Sequence, residues 1–180
     1  MEMLEVIKKR RSIRRFKPNP IPPEHIRVIL EAATWAPSAG NLQPWEFIIV
    51  TSKERKKAIA KAALNQMFIA EAPVVIVVCA NIPRSSSIYG DRGATLYCIQ
   101  DTAAAIQNML LMACALGYGT CWVGAFREEE VRKILGIPRH VRPVAIIPMG
   151  IPNEKPTPPS RYPLTRVVHE ENYGNPWRSK

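Results

Sequence analysis

The spacing of apolar side chains divides the chain into alternating helices and strands. Apolar residues three or four positions apart predict helices at 2–11, 22–37, 53–64, 101–116 and 127–135. Runs rich in β-branched and aromatic residues predict strands at 45–50, 74–79, 120–125 and 141–150. Proline cannot donate a hydrogen bond to a neighbouring strand, so Pro143 and Pro148 predict that the last strand lies at a sheet edge or pairs over a short stretch.

The helix at 101–116 differs from the others because it is apolar on nearly every side. A helix of this kind is expected in the middle of a domain, where other elements cover it. Apolar residues make up 47% of the 180 residues, which is enough for one real core. We therefore predict a single domain over 1–180, with an extended C-terminal arm at 151–180.

In two segments the apolar residues are not regularly spaced. Residues 81–93 hold Pro83, Gly90 and Gly93 among three serines, which predicts a long loop that is either mobile or covers a ligand. The C-terminal arm is rich in proline and has too few apolar residues to fold alone. It is either disordered or docked on the domain or on a second copy. Its Trp177 favours docking, because an exposed aromatic side chain is costly in water.

The chain is strongly basic, with a formal net charge of +10. This charge favours anionic ligands without requiring nucleic acid. Aromatic residues make up only 7% of the chain and do not alternate with basic ones as they do in proteins that stack single-stranded bases. A nucleic-acid-binding domain is therefore a minor alternative, and we expect no nucleic acid partner.

Other residue types argue against a metal site and against a membrane protein. The four cysteines lie in apolar surroundings without a Cys-x-x-Cys pair, and the three histidines are scattered. We interpret the cysteines as reduced core residues and expect no metal. The chain opens without the apolar run of a signal peptide, and its longest apolar run, 109–116, is too short to cross a bilayer. These features predict a cytoplasmic protein.

The segment from Lys8 to Lys17 concentrates seven cations around one serine, Ser12. Arginine presents a planar fork of donors that matches two phosphate oxygens, and a serine hydroxyl between two such forks adds a third hydrogen bond. The segment therefore predicts a site for a phosphate monoester. A nuclear-localisation run, a nucleic-acid arm and a solvated helix face are the alternatives.

Five short segments gain meaning when they are read together. They are RRSIRRF at 10–16, APSAGNLQPW at 36–45, LGYGTCWVG at 116–124, MGIP at 149–152 and PPSRYPL at 158–164. In this order, over the length of the chain, they resemble the nitroreductase family of flavin enzymes. Any one of them alone would be a weak signal, and their order makes the resemblance specific.

The resemblance implies an α+β fold, with a mainly antiparallel central sheet flanked by helices. It also implies a homodimer with two FMN sites at the subunit interface and a C-terminal arm that extends onto the partner. The implied activity is that of an FMN-dependent oxidoreductase. Hydride would pass from NADH or NADPH to flavin N5 and then to an electron-poor acceptor such as a nitroaromatic, a quinone or a flavin. A non-catalytic FMN-storage protein is the alternative.

The resemblance assigns roles to the arginines of the chain. Arg10 and Ser12 fall on positions that hold the FMN phosphate and ribityl chain, and Arg11 contributes from the same corner. Arg161 is similar to a second phosphate-binding arginine. Arg14 falls where a cation lies near flavin N1 and stabilises the anionic reduced ring. No protein acid or base is implied as catalytic, because the flavin carries the chemistry.

Further implied contacts surround the flavin ring. Gly124 matches a glycine whose backbone N–H approaches N5, Val123 precedes it, and Asn65 matches a polar contact to the ring. A loop implied to reach the flavin from the other subunit contributes Pro37, Ser38, Ala39, Asn41 and Gln43. Ordinary local roles compete with some of these assignments, since Ser12 could cap a turn, Ser38 and Asn41 could form one, and Gly124 could mark a strand bulge.

Two positions depart from the pattern of family members with broad nitro-compound activity. Val123 stands where those members carry an acidic residue before the glycine, and Phe68 stands where a lysine can support the flavin. The pocket is therefore expected to be drier and less charged. This leaves the physiological acceptor and the choice between NADH and NADPH open.

Overall fold

A computed structural model describes residues 2–177 of the chain as a four-stranded antiparallel sheet with helices on both faces. The strands, in the spatial order β1-β2-β4-β3, are β1 Trp45–Val50, β2 Val74–Asn81, β3 Gly119–Thr120 and β4 Val141–Gly150. The helices are α1 Met3–Lys9, α2 Pro23–Thr34, α3 Lys53–Ala62, α4 Phe68–Glu71, α5 Ile82–Arg92, α6 Cys98–Ala115, α7 Glu128–Leu135 and α8 Leu164–Val167. The predicted α+β class is confirmed. Residue 1 of the predicted domain and residues 178–180 of the predicted arm lie outside the described residues.

Strand β2 separates two hydrophobic cores. Val75 and Val77 point into a core that also contains side chains of α3 and α7. Ile76 and Val78 point to the opposite face, where α2 and α6 cover them. A strand covered on both faces needs apolar residues at every position, which explains why its sequence does not alternate. Burial of each such side chain contributes about 1.5–3 kcal/mol relative to leaving it exposed.

The prediction of an edge position or short pairing for β4 is wrong. β4 lies between β2 and β3 and pairs with β2 from Val141 to Met149. Its two prolines lie at irregular points of the pairing. Pro143 pairs next to the register shift in β2, and the carbonyl of Pro148 accepts a hydrogen bond from the N–H of Cys121, which lies just beyond the two residues of β3.

The segment 81–93, predicted to be a long loop, is mostly helical. Asn81 caps α5 by accepting a hydrogen bond from the backbone N–H of Arg84, and Pro83 lies in the first turn, where a missing N–H costs nothing. Gly90 has a φ of 52° and kinks the helix, which continues through a π-helical turn at Gly93–Tyr97 into α6. The glycine and serine content predicted a loop, but the same residues also occur where a helix is kinked.

The basic segment after α1 runs along the β3 edge of the sheet. The N–H of Ile13 donates to the carbonyl of Thr120 at 2.9 Å, and Ser12 forms a parallel bridge with the same residue. Further along, the N–H of Lys17 donates to Ile151 and that of Asn153 to Arg15, both at 2.9 Å. These backbone bonds fix the basic segment between the sheet and the first residues of the C-terminal arm.

Only the first part of the arm contacts the domain. Beyond residue 161 its large side chains lie in solvent, including Tyr162, Leu164 and Tyr173, the last of which is 94% exposed. These three side chains are therefore not buried against their own domain.

Lys56 of α3 is unusual because it is a buried cation, with only 8% of its surface exposed. Its Nζ donates to the carbonyls of Ala72 at 2.6 Å and Pro73 at 3.3 Å, at the turn that leads into β2. Among the residues that the structure describes, no carboxylate forms an ion pair with it. Burial lowers the pKa of Lys56, because the charged amine has lost water without gaining a counter-ion.

We expect Lys56 to make stability depend on alkaline pH. Between the lowered pKa in the folded protein and the ordinary value near 10.4, the unfolded chain binds more protons than the folded one, so stability rises with pH. Urea unfolding at intervals from pH 7 to pH 10 should show the wild type gaining stability relative to Lys56→Met. The exposed neighbour serves as the control, and Lys57→Met should show no such gain. A constant difference between wild type and Lys56→Met would contradict the assignment.

Candidate functional site

The site begins where α1 ends. Arg10 leaves the helix with an extended backbone, and its N–H still donates to the carbonyl of Val6 at 3.0 Å. The Arg11 guanidinium turns back and donates to the carbonyls of Lys8 at 2.5 Å and Arg10 at 2.6 Å. Arg11 thus satisfies carbonyl groups that the helix end leaves free, which is a structural use of its charge.

All four residues predicted at the phosphate site line one cavity. Arg10, Arg11, Ser12 and Arg161 border a space of about 340 Å³, to which Arg14 and residues of the arm also contribute. A second space of about 540 Å³ lies on the other side of the same arginines, bordered by Lys8 and Gln107. The structure therefore brings the two ends of the chain together around one opening.

The cations of this opening have no carboxylate partners of their own. Within residues 2–177, Arg10, Arg11, Arg14 and Arg161 form no ion pair, although five other arginines of the chain do. The guanidinium of Arg161 instead donates to the backbone carbonyls of Pro159 and Ser160. Unpaired guanidinium groups at short range repel one another, and a phosphate between them would turn this repulsion into attraction.

Arg14 is held by its backbone and leaves its side chain exposed. The N–H groups of Arg14 and Arg15 both donate to Oε1 of Glu154 in the arm. The Arg14 guanidinium lies over the ring of Phe68, with 5.9 Å between its central carbon and the ring centroid. A cation at this distance from an aromatic face gains modest attraction and a fixed direction. Sequence reasoning did not find Glu154, which carries no motif and is 140 residues from Arg14.

The thiol of Cys121 is buried near the cations of this opening. Burial raises the pKa of Cys121, while the charges of Arg14 and Arg10 and a hydrogen bond to Ser12 act in the opposite direction. Because burial outweighs the cations, the sulfur stays a neutral thiol and is a poor nucleophile. The site thus contains no activated cysteine.

The predicted ring contacts lie at the β3 edge. Val123 is buried and exchanges two backbone hydrogen bonds with Ile146, at 2.9 and 3.0 Å, so its side chain belongs to the core. Gly124 is exposed, and a Cβ built on it meets no atom within 4 Å. Asn65, with a φ of 61°, ends the turn after α3, which Gln66 ties to this edge by donating to the carbonyl of Ala125 at 3.1 Å.

The loop 37–43 lies apart from this group. Its residues border neither of these two spaces nor a third, of about 350 Å³, that Arg10 also borders. The loop instead forms hydrogen bonds with residues of α5 and α6. Arg84 of α5 donates to the carbonyl of Gln43 at 2.8 Å, and Ser38 Oγ accepts from the N–H of Gln43 at 3.0 Å. Within one chain, the predicted site residues therefore form two separate groups.

No group of three or more His, Cys, Asp or Glu side chains is placed to hold a metal ion within residues 2–177. In the same part of the chain, none of the helices combines the length and the apolar composition needed to cross a membrane.

Comparisons with known proteins agree with the geometry. The family model described as "Nitroreductase family" matches residues 7–151. An NADH dehydrogenase of Thermus thermophilus is 37% identical over an alignment of 187 positions. The match covers 89% of this chain and 91% of the relative. An FMN reductase (NAD(P)H) of Bacillus subtilis is 31% identical, covering 97% of this chain and 75% of the relative.

A solved structure has the same fold. The NADPH:FMN oxidoreductase of Vibrio harveyi, determined in complex with NAD+, superposes with a TM-score of 0.88 at 30% identity and covers 96% of this chain and 78% of that one. The family match spans the Arg10 corner, the loop 37–43 and the Gly124 edge, so the resemblance seen in the sequence is confirmed. This chain belongs to the nitroreductase family.

Proposed function

We propose that this protein is an FMN-dependent oxidoreductase that passes electrons from NADH or NADPH to a planar, electron-poor acceptor such as a nitroaromatic, a quinone or a free flavin. The observation that carries the proposal is the convergence of Arg10, Ser12 and Arg161 on one cavity. The names of the relatives support it, since they include an FMN reductase and an NADPH-flavin oxidoreductase.

The residues present fit FMN. Unpaired arginines and a serine hydroxyl border a space large enough for a phosphate, and a glycine without neighbours above it lies at the adjacent sheet edge. When bound, FMN supplies the redox chemistry by accepting and returning hydride at N5. The protein contributes position and charge. Arg10, Ser12 and Arg161 would hold the phosphate, and the N–H of Gly124 would face the ring with no side chain in the way.

Arg14 would tune the readiness of the flavin to accept hydride. Its charge is unpaired among the described residues, and its backbone is anchored through Glu154. A fixed cation near the N1 edge stabilises the negative charge that reduction adds, and it needs no reorganisation during the reaction. Its side chain also lies over Phe68, which keeps water from one side of the charge and strengthens its field.

The acceptor would bind at a part of the site where no carboxylate precedes Gly124. The exposed Trp122 offers an apolar face there, and Val123 keeps its side chain in the core. Such a surface favours flat apolar molecules, which stack on the ring, over cationic ones. Asn65 would supply a polar contact beside the ring.

We propose that the working unit is a homodimer. The loop 37–43 would complete the flavin site of the partner, which explains why it lies far from Arg10 of its own chain. Large apolar side chains on α1 and at the end of α2 remain exposed, among them Met3, Leu4 and Trp35, the last at 81%. The free edge of β1 adds an apolar groove of about 520 Å³ that Leu30 and Ile49 border. Exposed patches of this kind mark association surfaces.

Replacing Arg10 tests the phosphate site. Arg10→Ala should weaken FMN binding about ten- to hundredfold, because a charge-assisted hydrogen bond contributes roughly 1.5–3 kcal/mol. Arg15→Ala is the charge-matched control, since its side chain is exposed and borders none of the cavities around Arg10. Fluorescence titration of apoprotein with FMN measures both. Anaerobic mixing of the wild-type holoprotein with NADH or NADPH then separates an enzyme from a storage protein, whose flavin would stay oxidised. Equal affinities in the two variants would remove Arg10 from the site.

Replacing Gly124 tests the approach to the ring. Gly124→Val should leave stability within about 0.5 kcal/mol of the wild type, because the position is exposed and an added Cβ meets no atom within 4 Å. The rate of flavin reduction should fall roughly a hundredfold, as expected when reacting groups are displaced by about an ångström. Stopped-flow absorbance and thermal melting give the two values, with Gly124→Ala as a graded control. Full-speed reduction in the valine variant would place the reacting edge elsewhere.

Shortening the arm tests the dimer. A chain that ends at Pro163 keeps Arg161 but loses the exposed side chains of residues 164–177. We expect the full chain to be an obligate dimer with an interface above roughly 2,000 Å². The shortened chain should dissociate on dilution, which light scattering after gel filtration would show. Arg161→Gln in the full chain is the converse control and should lose FMN affinity while staying dimeric. A shortened chain that remains a tight, yellow dimer would refute the role of the arm.

A further inference from the structure

Asp101 is a buried carboxylate in the first turn of the apolar helix α6. It is 7% exposed, and its Oδ1 accepts a hydrogen bond from the N–H of Ala39 at 3.1 Å. Its other oxygen, Oδ2, is buried and has no hydrogen-bond partner among the described residues. Burial raises the pKa of Asp101, which is the sign of a group that would be better solvated elsewhere. A buried polar group that lowers stability in this way usually has a role in binding or positioning another group.

The segment that Asp101 holds has a strained backbone. Gly40, Asn41 and Gln43 have φ values of 58°, 54° and 49°, in the left-handed region that side chains rarely adopt. A Cβ at Gly40 would lie 2.6 Å from the hydroxyl oxygen of Tyr89, so a side chain there would require Tyr89 to move. Such a conformation persists only where neighbouring groups impose it.

The anchors of the loop divide into two kinds. Arg84 and Ser38 fix its far end at Gln43, through bonds at 2.8 and 3.0 Å at exposed positions. Asp101 fixes its beginning, at the first residue of the short helical turn Ala39–Asn41, and it does so from inside the core. Because α6 is the central helix of the fold, this bond ties the loop to the most rigid element available.

We propose that Asp101 is a positioning residue that acts on the partner subunit. Its carboxylate fixes Ala39 and so presents residues 38–43, in their strained form, to the flavin held at the Arg10 corner of the other chain. This inference rests on the proposed function and on its dimer. Asp101 itself would touch neither the cofactor nor the acceptor.

The first test measures the loop and the cofactor separately. Asp101→Ala should speed amide hydrogen exchange in residues 38–43 and weaken FMN binding, each by about tenfold, because one hydrogen bond to a charged group is lost. Asp101→Asn keeps an oxygen for Ala39 and should restore both to within about threefold of the wild type. Thr102→Val is the matched control, since Thr102 is buried at the next position and bonds only to carbonyls of its own helix. Equal effects of Asp101→Ala and Thr102→Val would overturn the inference.

A second variant avoids any damage to the core. Ala39→Pro removes the N–H that Asp101 accepts, and Ser38 before it is extended, which is the conformation that proline requires of its predecessor. If Asp101 acts through this N–H, then Asp101→Ala should change FMN affinity by less than about twofold in the Ala39→Pro background, although Asp101→Ala and Ala39→Pro each weaken it alone. Additive losses would mean that Asp101 acts by another route.

Complementation between subunits tests the action on the partner. In a heterodimer of an Arg10→Ala chain and an Asp101→Ala chain, purified through two different tags, one site carries both defects and the other carries neither. We expect one tightly bound FMN in this heterodimer and none at the same FMN concentration in either variant homodimer. If Asp101 acted on the site of its own chain, each site would carry one defect and no tight binding would return. A wild-type protein that binds no FMN would refute the proposed function, whereas the exchange data on the loop would still stand.

Discussion

The structure depends above all on the backbone hydrogen bonds that hold residues 12–17 against the edge of the sheet. Ile13 is bound to Thr120, and Lys17 to Ile151, so the most basic part of the chain is fixed between β3 and the start of the arm. Without these bonds, like charges would drive the segment into solvent. With them, cations from residues 10 and 161 meet at one opening. The sheet thus holds the cations in place, and the cations attract the anionic ligand.

Much of the fold followed from local patterns. The buried strand β2, the amphipathic helices and the apolar α6 were predicted because burial on one or both faces dictates residue type directly. The position of β4 was not predictable in the same way. Prolines exclude a strand from a regular ladder, but this ladder has a bulge and a two-residue partner, and those are properties of β2 and β3 rather than of β4. The helix α5 was missed because serine and glycine are compatible with both a loop and a kinked helix.

That the predicted site residues bind FMN remains a prediction. Within one chain the structure places these residues in two separate groups. The Arg10 corner could be found from sequence because charge density is visible there. Glu154 and Asp101 could not, since each acts on a backbone N–H far away along the chain. Asp101 did leave one signal, since it is the single charged residue of a helix that is mostly apolar. A buried charged residue in such a helix is usually paired, here by a hydrogen bond to a distant part of the chain.

The cysteines have a consequence for how this protein resists oxidation. Burial raises the pKa of all four thiols, in Cys79 to about 12, and Cys121 is also close enough to Arg10 and Arg14 for their charges to act on it. Oxidants attack thiolates rather than neutral thiols. We therefore expect the thiol of Cys121 to stay unmodified beside a redox cofactor over many turnovers.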